Sequence, residues 1–70
     1  MTISIVPRSV RLEAADTREA LYLKNILEGE ADPPQTLLER PMVVKWVTWE
    51  RYEQDGRMVR LPSAITFRDV

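Results

Sequence analysis

The sequence contains no cysteine, no histidine and only two glycines, and each shortage removes a class of function. Without cysteine there is no disulfide and no thiolate nucleophile. Without histidine the Ser-His, Cys-His and zinc-water mechanisms are closed, and a zinc site built from carboxylates alone would be unusual. Gly29 and Gly56 cannot supply a Walker or dinucleotide-binding loop. No metal and no cofactor are therefore expected. Two carboxylates can hydrolyse a glycoside, but Glu50 and Glu53 would lie on opposite faces of one strand, and 70 residues leave little to wall a sugar cleft. The chain is expected not to be an enzyme. It also lacks any apolar run near the ~18 residues of a membrane span, and MTISIVPRSV has no signal-peptide layout. A cytoplasmic location without a membrane partner is the expectation.

What is present is the composition of one folded domain over 1–70, with 44% hydrophobic and 30% charged residues. A core this small balances burial worth about 25 cal/mol per Å² against roughly 1.5 kcal/mol of entropy per ordered residue. With disulfides and metals removed, association with another chain is the remaining stabilising device, and a homo-oligomer is a candidate state. Net charge is −1, which argues against a dedicated duplex-DNA binder. The charge is uneven: residues 1–39 carry −3 and residues 40–70 carry +2. The C-terminal part could meet an acidic protein or a phosphate backbone.

The spacing of apolar residues predicts an α+β domain of order β-α-α-β-β-β. Ile3, Ile5, Val10 and Leu12 alternate with polar neighbours, giving a strand kinked at Pro7 or two short ones. The main helix spans about 16–28. Asp16 caps it, Glu19 completes a capping box and Gly29 ends it. Ala20, Tyr22, Leu23, Ile26 and Leu27 share one arc. A short second helix over about 33–39 follows from Asp32 as N-cap, Pro33 at the first position and Pro41 as a stop. Residues 42–53 are dense in β-branched and aromatic side chains and read as a long strand. Asp55-Gly56 turns the chain, RMVRL returns, and a final strand AITF follows a Pro62-Ser63 turn. Both helices are expected to pack on the antiparallel sheet.

Two hairpin registers compete. A two-residue loop sets Arg51 against Arg60 and Glu50 against Leu61. A three-residue loop sets Glu50 against Arg60 and Trp49 against Leu61. Opposite charges across strands favour the second by under ~1 kcal/mol per pair. That register makes Val47, Trp49, Val59 and Leu61 the core face, and leaves Trp46, Tyr52 and Met58 among Thr48, Glu50 and Arg60.

The candidate partner surface is thus Lys45, Trp46, Tyr52, Arg57, Met58 and Arg60. Its types are those that protein interfaces concentrate. Rings interleaved with basic groups can also stack single-stranded bases, although Glu50 and Glu53 interrupt the basic stripe. The competing explanation is that the rings are ordinary core. The expectation is a non-enzymatic protein-binding module, a regulator, inhibitor or assembly factor of the kind bacteriophages and mobile elements encode. A single-stranded nucleic-acid binder is the alternative.

Overall fold

The computed structural model describes residues 1–35 and 41–70. Among them lie five elements: β1 (Thr2–Val6), β2 (Ser9–Glu13), α1 (Thr17–Leu27), β3 (Met42–Gln54) and β4 (Arg57–Asp69). The strands form one antiparallel sheet in the spatial order β1-β2-β4-β3, packed against α1. Among the described residues the order is β-β-α-β-β, which corrects the expected β-α-α-β-β-β.

The N-terminal run is a hairpin. Val6 pairs with Ser9, so Pro7 and Arg8 form the turn, where a fixed φ suits the chain and no ladder N–H is required. Pro62 and Ser63 form no turn, and β4 runs through them. Proline is tolerated there because β2 ends beside Ala64 and the β3 ladder slips at the same point. Of the expected second helix over 33–39, residues 36–39 fall outside the described residues; Pro33 and Pro34 carry no regular secondary structure, and Gln35 is helical.

The main helix forms for the reasons its ends suggest. Asp16 accepts a hydrogen bond from the Glu19 N–H at 2.9 Å. Glu19 reaches back one residue further than a capping box requires, accepting from the Ala15 N–H at 2.8 Å. Its other carboxylate oxygen lies 2.6 Å from the Met1 amino group. At the far end Gly29 adopts φ +77. Its N–H donates to the Ile26 carbonyl and the Glu30 N–H to that of Asn25, a Schellman closure. Leu23 and Ala20 are buried, and Leu23 joins Val10, Leu12, Ile65 and Phe67 in the core. Tyr22, Ile26, Leu27, Met42 and Val47 pack around that cluster. The Tyr22 hydroxyl donates to the Asp32 carbonyl at 2.7 Å, holding the post-helix segment to α1. No described helix is long and apolar enough to cross a membrane.

Candidate functional site: the β3–β4 ribbon

β2 pairs with β4 only from Ala64 to Arg68, so the thirteen-residue strands β3 and β4 continue beyond it as a two-stranded ribbon. Asp55 at φ 52 and Gly56 at φ 76 make its tip. Two successive positive φ values define the primed turn whose twist matches a right-handed hairpin, and it closes a two-residue loop with Gln54 opposite Arg57. The three-residue loop is therefore overturned. Cross-strand charge preferences are each worth under ~1 kcal/mol, and the Asp-Gly turn outweighs them.

This register redistributes the candidate residues. Glu50 faces Leu61 and Tyr52 faces Val59, and these pairs share one side of the ribbon. On that side Leu61 is buried and Tyr52 and Val59 are half-buried. Burial pushes the Tyr52 hydroxyl above its ordinary range, reinforced by the charges of Glu50 and Asp16. The Thr17 hydroxyl, at the start of α1, donates to the Glu53 carbonyl at 3.2 Å and ties helix to ribbon.

The other side carries Trp49 opposite Pro62, Arg51 opposite Arg60 and Glu53 opposite Met58. Trp49 is 44% exposed and Met58 64%, and an open 260 Å³ hollow is lined by Trp49 and Arg60. Trp49, expected in the core, is thus a surface ring: the observed register gives it Pro62 as neighbour in place of Leu61. The two arginines face each other. Neither guanidinium has a hydrogen bond or ion pair among the described residues.

The ladder has two irregularities. Lys45 has no counterpart between the Val44–Phe67 and Trp46–Thr66 pairs, and Ser63 has none between Thr48–Ala64 and Trp49–Pro62. The first is a bulge on β3 that leaves Lys45 exposed beside Trp46, itself 66% exposed. Lys45 also lines an open cleft of about 570 Å³ with Arg8, Arg68 and Asp69.

The six candidates do not form one patch. Tyr52 and Arg57 fall on the ribbon side of Val59, Met58 and Arg60 on the side of Trp49, and Lys45 and Trp46 lie at the bulge. Arg51 and Trp49 were missed as surface partners. The signal that finds them is the Asp-Gly dipeptide, taken as a two-residue loop. Searches against protein-family models, curated proteins and solved structures return no match for this chain.

Proposed function

We propose that this chain is a non-enzymatic protein-binding module, and that its ribbon captures a partner combining an apolar anchor with acidic side chains. The observation that carries the reading is the exposure of Trp49 and Met58, with Trp46 exposed at the bulge beyond them, on a ribbon whose Arg51 and Arg60 face each other with no ion pair among the described residues. Large apolar side chains left in water are what interface hot spots are made of. Two opposed guanidiniums are a standing repulsion that a carboxylate from another molecule would relieve. Selection of a random peptide library on the immobilised protein tests this. Recovered peptides should carry acids flanking a large apolar residue. Their binding should be lost in Trp49→Ala and in Arg60→Glu, both still folded by circular dichroism. Peptides without acids, or binding indifferent to Arg60→Glu, would overturn it.

The second reading is a single-stranded nucleic-acid binder, favoured by the same closeness of rings and guanidiniums. Glu50 and Glu53 in the same strand and the net charge of −1 tell against it. Under the protein-binding reading, mixed-sequence oligonucleotides bind no tighter than about 10⁻⁴ M at physiological salt. Micromolar quenching of tryptophan fluorescence, with a log–log salt slope near −0.7 per phosphate contact, would reverse the order of the two.

A further inference from the structure

β3 is an edge strand. Among the described strands only β4 pairs with it, and its free edge is long enough to template another strand. Edges are commonly blunted by a bulge and a lysine, and Lys45 supplies both at one end of β3. The protection stops there. From Trp46 to Gln54 β3 contributes a residue to every rung of the ladder, and Trp46, Trp49, Glu50, Arg51 and Glu53 are exposed.

We infer that this stretch pairs with the same stretch of a second copy, antiparallel, about a two-fold axis at Trp49. Antiparallel pairing about a two-fold axis normal to the sheet sets residue i against its mirror position, so the choice of centre fixes every partner. An axis at Thr48 places Lys45 against Arg51 twice. An axis at Glu50 places two glutamates face to face, and one at Arg51 two arginines. Axes at Val47 and Tyr52 run into the Lys45 bulge and the Asp55-Gly56 turn within three residues, whereas one at Trp49 leaves residues 46–52 clear of both and has no like-charge pair. It sets Trp46 against Tyr52 twice and Trp49 against itself, and it leaves each Lys45, at the bulge that ends the paired stretch, beside the other copy's Glu53. Opposite charges and aromatic pairs are the combinations that stabilise adjacent strands. The backbone groups of about seven residues on each chain would find partners in the same step.

Sedimentation equilibrium up to hundreds of micromolar, with no other protein present, tests the inference. Its failure therefore leaves the partner-binding reading standing. The wild type should show a monomer–dimer equilibrium. Lys45→Glu alone and Glu53→Lys alone should each raise the dissociation constant by about tenfold or more. The two together should restore it, because the reversed pair is again complementary. The chain has no cysteine, so Trp49→Cys reports the axis directly. It should oxidise to a covalent dimer, whereas Val44→Cys, far from its own copy in this register, should not. A wild type that stays monomeric overturns the inference. So does a dimer indifferent to Lys45→Glu, or one that both single-cysteine variants cross-link equally.

Discussion

Reversing one charge on the ribbon separates the two hairpin registers by the sign of the result. Arg60 stands opposite Arg51, and a like-charge pair directly across two strands is destabilising by up to roughly 1 kcal/mol. Glu53 lies diagonal to Arg60, in the next pair on the same side, at the ~7–8 Å of a diagonal contact, and offsets part of that repulsion. Arg60→Glu inverts both terms. The directly opposite contact becomes an attraction and the diagonal one a repulsion. The nearer term dominates, so a net gain of about 0.5 kcal/mol is expected, or roughly 2–4 °C in melting temperature for a domain of this size. Arg60→Gln, which removes both terms without inverting them, should give about half of that. Circular dichroism melts at low and high salt measure it, and the gain should shrink as salt screens it. With a three-residue loop Arg60 would face Glu50, and the same substitution would lower the melting temperature. A fall would refute the register and, with it, the assignment of Trp49 and Arg51 to the exposed side.

The same variant separates stability from function. If the opposed guanidiniums serve a partner, Arg60→Glu should yield a protein that is more stable and binds less. A local stability cost retained at a binding surface is a recurrent trade-off. A structural role alone would move both properties in the same direction.

Other expectations follow from the turn, the core and the helix start. Gly56→Ala places its new methyl in open space, with nothing within 4 Å, so only the positive φ resists it. The cost by urea denaturation should be about 1 kcal/mol, and Gly56→Asn should recover most of it. Leu23→Ala empties a fully buried site at about 3–5 kcal/mol. That should leave a domain this small largely unfolded by circular dichroism, while Trp46→Ala stays folded. The Glu19 carboxyl is held below its ordinary range, first by the Met1 amino group and then by the Ala15 N–H. A folded-state pKa below the unfolded one stabilises at neutral pH, and that contribution is lost as pH falls through the folded value. Glu19→Gln should therefore melt below the wild type at neutral pH, with the gap closing in acid.

The helix was legible because its signals are local. A cap at Asp16, a left-handed Gly29 and an apolar arc from Ala20 to Leu27 lie within one element, and each is decided by residues a few positions apart. The hairpin was legible for the same reason, its turn being written in Asp55 and Gly56. What the sequence obscured depends on neighbours distant in the chain. Pro62 reads as a breaker until β2 is seen to stop beside it. Pro7 leaves one kinked strand and two short strands open, and only the Val6–Ser9 pairing decides between them.

The candidate site shows the same limit more sharply. Its residue types were readable, and of these Trp46 and Met58 are exposed. Its grouping was not, because one residue of register decides which side chains sit together. Weighing cross-strand charges favoured the register that looked better in pairs. Those pair energies are small beside the backbone preference of a two-residue Asp-Gly turn. The penalty avoided in that reading, Arg51 against Arg60, is present in the structure.

The distribution of charge links the ribbon to the proposed dimer. Between β2 and β3 the described chain carries Asp16, Glu19, Glu28, Glu30 and Asp32 against Arg18 and Lys24. The strands and their turns carry Arg8, Arg11, Lys45, Arg51, Arg57, Arg60 and Arg68 against Glu13, Glu50, Glu53, Asp55 and Asp69. An acidic partner is therefore drawn toward the strands and turned away from the helical segment. A two-fold axis normal to the sheet keeps both copies of α1 on one side of the joined sheet, and brings the two Trp49 rings together at its centre. Each Trp49 keeps its own Arg51 and Arg60 beside it, so one dimer presents two copies of the same recognition surface. A partner that repeats its acidic motif would engage the second copy at the effective concentration set by the first, and gain affinity without any new contact.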